Sequence, residues 1–150
     1  MNNLVVEKGK WLEARRALLE QEKAHMKAND ALKKNLRALP WLRIEKNYVF
    51  TTREGEKSLV ELFQGRSQLF MKHFMMAPGQ DWQCVGCSLE CDHMNGLLPH
   101  LENHDISYVV VARAPIGEIE KVRQRMGWDF CWASSFGSEF NYDMDVSFRP

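Results

Sequence analysis

Residues Gln68-Leu69-Phe70-Met71-Lys72-His73-Phe74-Met75-Met76 are almost continuously apolar and lead, through Pro78-Gly79, into Trp82-Gln83-Cys84-Val85-Gly86-Cys87. A run of this length and composition reads as a strand covered on both faces by helices. A helical pattern opens near Ser88, so two thiols stand between a strand and a helix. In layered sheets, sites collect at the carboxyl ends of strands, and the cysteines fall at such an end.

Downstream, Leu89, His93, Leu97, Leu98 and Leu101 recur at helical spacing, and Pro99 inside that pattern predicts a kink or a break. Ile106-Ser107-Tyr108-Val109-Val110-Val111-Ala112 is the clearest buried parallel strand. Pro115 opens a helix over 116–126 that Gly127 ends, and Phe130-Cys131-Trp132-Ala133-Ser134 reads as a third central strand. Strands alternating with helices, joined by right-handed crossovers, predict an α/β layered sheet.

Upstream, 6–39 is rich in Ala, Leu, Glu, Lys and Arg, with Trp11, Ala14, Leu18, Met26, Leu32, Leu36 and Leu39 on an amphipathic helix or helix pair. Asn29-Asp30 is the expected break, with Asp30 as a cap, and Pro40 ends the run. The chain thus divides into an N-terminal helical arm, 1–40, and one structural unit, 41–150. The arm packs on its own domain or serves as a dimerisation arm, and both readings stand. Leu42, Ile44 and Tyr48-Val49-Phe50-Thr51-Thr52 read as short extended segments, and 53–56 as a turn with Gly55 at positive φ. A short helix over 58–63 is capped at Ser58 and stopped by Gly65.

At 150 residues with 45% hydrophobic content, the chain can bury one core. Twenty basic and twenty acidic residues cancel, which leaves no field to hold nucleic acid or an anionic membrane surface. No window approaches the ~20 apolar residues of a membrane span. With no basic, apolar leader at Met1-Asn2-Asn3-Leu4, the expectation is a soluble cytoplasmic protein. In that setting Cys84, Cys87 and Cys91, crowded into eight positions, point to redox or metal chemistry rather than structural disulfides.

Two cysteines separated by two residues at a helix start can close a disulfide, and the first faces unpaired backbone N–H groups that favour its thiolate. Cys84 is then the attacking thiolate, Cys87 the resolving thiol, and Trp82 a flank that limits water access and contacts substrate. This dithiol reading calls for no cofactor; its partners are a disulfide-containing protein or a small-molecule thiol. Three alternatives stay open. Cys84, Cys87 and Cys91 can hold zinc or an iron-sulfur cluster, although His93 points about 150° away around the helix from Cys87 and Cys91. A non-catalytic binding module keeps the fold without turnover. A peroxidase reading through Cys84 meets an objection, since 79–83 carries neither Thr nor Ser. Cys91 reads as a core residue or an alternative disulfide partner for Cys87, Cys131 as a core residue, Ser134-Ser135 as turn chemistry, and His73 as a strand residue with a satisfied ring or, at the strand end, one close enough to Cys84 to tune it.

Several blocks carry a resemblance: 11–19 with Glu22-Lys23, 48–50, 62–69, His73-Phe74-Met75, Cys84-x-x-Cys87-Ser88, Ala112-Arg113-Ala114-Pro115, and 127–141. Together they resemble the DUF899 family, described as thioredoxin-like, predicted dithiol-disulfide oxidoreductases. The resemblance implies a thioredoxin-like fold with Cys84 and Cys87 on the family's cysteine pair and Asp92 on a position that is usually acidic. Cys91 departs from the small non-thiol residue the family tends to carry. It also implies chains that continue past Phe148-Arg149-Pro150 into the last antiparallel strands and a terminal helix, and a cis-proline opposite the pair, a place no proline here occupies. Without those strands an open sheet edge results, and a homodimer contact is the expected cover.

Overall fold

The computed structural model describes residues 3–80 and 82–149, in two compact units, the first closing at Ile44 and the second opening at Glu45. The first unit is dominated by one uninterrupted helix, α1 (Lys8–Arg37). The expected break at Asn29-Asp30 is absent. Neither residue costs a helix interior more than a fraction of the ~3 kcal/mol that proline would, and strong helix formers flank both. Ion pairs Arg15–Glu22 (2.9 Å) and Lys23–Glu20 (3.2 Å) line the helix surface. Leu42 and Ile44 form no strand and lie exposed.

The second unit is a mixed α/β fold. Its strands are β1 (Val49–Thr52), β2 (Gly55–Ser58), β3 (Gln68–His73), β4 (Ile106–Ala112) and β5 (Cys131–Ser134), in the order β2-β1-β5-β4-β3. β3, β4 and β5 are parallel, whereas β1 runs antiparallel to both β5 and β2. The helices are α2 (Val85–Asp92), α3 (Leu98–Asn103), α4 (Ile116–Met126) and α5 (Phe140–Asp143), with a 3-10 turn at Glu61–Phe63.

The period of two in β4 organises the interior. Tyr108, Val110 and Ala112 join one core with Phe74, Cys87, Cys91, Ile119, Trp128 and Trp132. Val109 and Val111 point to the other face, into a core with Tyr48, Phe50, Leu62 and Phe140. α2 and α4 therefore cover one side of the sheet, and the 3-10 turn and α5 the other. Pro115 caps α4, and Gly127 (φ 68°) ends it in the left-handed conformation that glycine takes without steric cost. Pro99 resolves as a break: α2 ends at Asp92 and α3 begins with the proline in its first turn.

Three local expectations change. The polar segment Gly55-Glu56-Lys57-Ser58 is a strand, because a two-residue turn folds it antiparallel onto β1, with Thr52 opposite Gly55. Beyond it, Ser58 and Glu61 form a capping box, Ser58 N–H donating to Glu61 Oε2 (2.7 Å) and Glu61 N–H to Ser58 Oγ (3.3 Å), but only one 3-10 turn follows. β3 ends the strand order, with Phe70 half exposed, so it is not covered on both faces. An apolar run reports side-chain character, not which strand lies at an edge.

Phe140 anchors the short α5. Its ring lies edge-on to Tyr48 (5.0 Å) and Phe50 (4.8 Å) and stacks on His73 (5.6 Å). Phe140→Ala is expected to remove ~3–5 kcal/mol of stability, read as a lower urea midpoint at unchanged slope. A loss under about 1 kcal/mol would show that this core closes without the ring.

Candidate functional site

After β3 the chain stays tied to β4: Phe74 N–H donates to Val111 O (2.8 Å) and Ala114 N–H to Met76 O (2.9 Å). These bonds carry it past the carboxyl end of the sheet to Cys84, the N-cap of α2 (φ −62°, ψ 114°). Here a sulfur does what a Ser or Asp oxygen ordinarily does at an N-cap. Cys87 N–H donates to Cys84 Sγ at 3.3 Å, while Ser88 N–H (3.0 Å) and Ser88 Oγ (2.7 Å) both donate to the Cys84 carbonyl. Gln83 Nε2 donates to Ser88 Oγ (2.5 Å), and Arg125 holds the Gln83 side-chain oxygen. The start of α2 is thus fixed from both sides.

Cys84, Cys87, Cys91 and Cys131 are free thiols with unequal acidities. The Cys87 backbone N–H, then its thiol, the Gly86 backbone and the Lys72 ammonium pull the Cys84 pKa below the ordinary thiol value. Burial pushes Cys87 up, and its neighbour's sulfur adds to the effect, against the Met75 backbone and Lys72. Burial drives Cys91 to about 12, and it also raises Cys131. Only the thiol at the helix cap is shifted toward its anion.

Lys72 shares the cysteine face of the sheet. It lies opposite Val110 in register, its side chain is only 12% exposed, and it pairs with Glu90 on α2. The salt bridge therefore ties β3 to the helix that bears the thiols. Neither Lys72 nor Glu90 stands out in the sequence, since each is an ordinary charged residue until the two elements pack.

His73 faces the other way. It lies opposite Val111, its ring stacks on Phe140, and burial lowers its pKa, so it belongs to the second core and does not tune Cys84. Trp82, just before the pair, is 52% exposed. Cys91 is fully buried in the core beside Tyr108. His93 is the exposed C-cap of α2, and among the described residues no group of three or more His, Cys, Asp or Glu is placed to hold a metal. Asp92 has a partner that its sequence context does not reveal: its Oδ1 accepts from the buried Trp128 Nε1 at 2.9 Å, tying the end of α2 to the approach of β5. Ser134 and Ser135 turn inward, to Ala114 O (2.6 Å) and Asn141 Oδ1 (2.6 Å).

This arrangement sets the pH dependence of alkylation. Iodoacetamide is expected to modify Cys84 ahead of the other three thiols, with a midpoint below the ~8.5 of a free cysteine. Lys72→Met removes a positive charge near the thiolate and moves that midpoint up, as read by residue-resolved mass spectrometry. An unmoved midpoint would remove Lys72 from the account.

No curated protein matches the chain. Among the described residues, no helix is long and apolar enough to cross a membrane. A family model described as a bacterial protein of unknown function, DUF899, matches residues 1–150. The chain therefore belongs to the DUF899 family of bacterial proteins of unknown function.

Proposed function

We propose that this chain is a thioredoxin-like thiol-disulfide oxidoreductase of a reducing, cytoplasmic compartment, acting through Cys84 and Cys87 on a disulfide-containing protein or a small-molecule disulfide. The observation that carries the reading is the asymmetry of the pair: Cys84 is lowered by the helix-start amide of Cys87, and Cys87 is raised by burial and by Cys84 itself.

The chemistry follows from that asymmetry. Cys84 thiolate attacks one sulfur of the substrate disulfide, forming a mixed disulfide, and the other substrate sulfur leaves as a thiolate and takes up a proton. With Cys84 bonded, its charge no longer adds to the burial that favours the protonated Cys87 thiol. Cys87 then loses its proton and attacks Cys84 sulfur, the mixed disulfide breaks, and the second substrate sulfur leaves with a proton. Two electrons pass from the dithiol to the substrate, and a thiol or dithiol reductant resets the pair. The exposed Trp82 supplies a flat apolar surface two residues before the attacking thiol in the chain.

Reduction of a model aromatic disulfide tests this. Cys84→Ser is expected to abolish it, and Cys87→Ser to accumulate a mixed disulfide at Cys84, visible by mass. Equal rates in wild type and Cys84→Ser would refute the assignment. The position of β3 at the end of the strand order supports pairing of that edge with a second copy. Light scattering at micromolar concentration then gives a dimer, and a monomer rejects the pairing.

A further inference from the structure

Two cavities differ in how their charges are matched. The larger, about 380 Å³, lies at the amino ends of the parallel strands, and its cations are spoken for: Arg53 and Lys57 by Glu54, Arg66 by Glu102, Arg123 by Glu120. The smaller, about 170 Å³, lies at the carboxyl ends, the end that also carries Cys84. Arg113 follows β4 into it, Ser135 follows β5, and Pro78 comes from the segment that leads to the cysteines.

Arg113 has no carboxylate partner among the described residues. Its guanidinium is nonetheless held in place. One nitrogen donates to Tyr142 Oη at 2.9 Å, and the group lies over the Tyr142 ring, 5.2 Å from its centroid. A fixed, half-buried guanidinium with no counterion among the described residues, facing a cavity at the end of the sheet that also carries Cys84, is poised to receive an anion.

The surroundings narrow the anion. Arg149 lies on the Tyr142 ring as well but is paired with Glu139, and Glu139 lines the same cavity. One available cation beside a carboxylate suits a monovalent group and disfavours a phosphate dianion. The free edge of a planar guanidinium matches the two oxygens of a carboxylate. At 170 Å³ the space is smaller than the ~300 Å³ where ligand pockets usually start, so it takes an end group and leaves the rest of the molecule outside.

We infer that the Arg113 cavity is a subsite for a carboxylate group of the molecule delivered to Cys84. The substrate class that follows is a small disulfide bearing carboxylates. This inference rests on the thiol-disulfide reading, and its test separates the two. The probe is oxidised glutathione, compared with its carboxyl esters and with inorganic phosphate. Binding is measured by NMR on a Cys84→Ser, Cys87→Ser chain that cannot exchange disulfides, following the Arg113 side-chain N–H and the amides of 135–138. Turnover is measured on the chain with both cysteines.

Saturable shifts at these signals are expected with the acid, absent with the esters and lost in Arg113→Gln. In turnover, Arg113→Gln is expected to raise KM for the acid about tenfold or more with kcat held within about twofold, the size of one charge-assisted hydrogen bond, and to leave the esters unaffected. Arg113→Lys keeps the charge without the planar fork and should fall between, which covers the case in which the glutamine variant does not fold. Shifts without turnover keep the subsite and sink the redox reading. Turnover with equal KM for acid and ester, an absence of saturable shifts, or phosphate binding as tightly as the acid would overturn the subsite.

Discussion

Burial of β4 on both faces is the constraint on which the rest of this unit depends. Ser107 through Ala112 are all buried, and because side chains alternate across a strand, one short segment feeds two separate cores. Tyr108, Val110 and Ala112 need helices on one side, and α2 and α4 provide them. Val109 and Val111 need cover on the other side, and the 3-10 turn and Phe140 provide it. The position of Cys84 follows: α2 packs on the first face, so its amino end reaches the carboxyl end of β3.

The four thiols illustrate how a fold divides one chemistry into different roles. Cys87 and Cys91 lie one turn apart on the same helix and in the same core, and removal from water favours the neutral thiol in both. Cys84 is also buried, yet backbone dipoles outweigh its desolvation because it stands where α2 has unpaired N–H groups. Position along the helix decides acidity here. Burial alone does not.

What could be read from residues alone was whatever is punctuated locally. Pro115 and Gly127 bracket α4, Ile106 and the run Tyr108-Val109-Val110-Val111 mark β4, and the Cys-x-x-Cys spacing marks the start of α2. What could not be read depends on what a segment pairs or packs with, whether its neighbour in sequence or an element far along the chain. The strand Gly55–Ser58 exists because β1 pairs with it, and no apolar alternation announces it. Asn29-Asp30 resembles a cap in isolation but is carried through by the helix formers around it. The edge position of β3, the Lys72–Glu90 pair and the stack of Arg113 on Tyr142 arise only when elements separated by 18 or 29 residues meet.

The sulfur cap of α2 has a thermodynamic corollary. Stabilising the Cys84 anion lowers the free energy of the reduced chain, whereas a Cys84–Cys87 disulfide holds no anion for the Cys87 amide or for Lys72 to favour. In the proposed dithiol couple, whatever free energy stabilises the thiolate would be lost on oxidation, which would shift the couple toward a more oxidising potential, with 30 mV corresponding to about 1.4 kcal/mol for two electrons. The same contact that starts the helix biases the pair toward its dithiol form. Helix initiation and thiol acidity are in this chain one interaction seen from two sides.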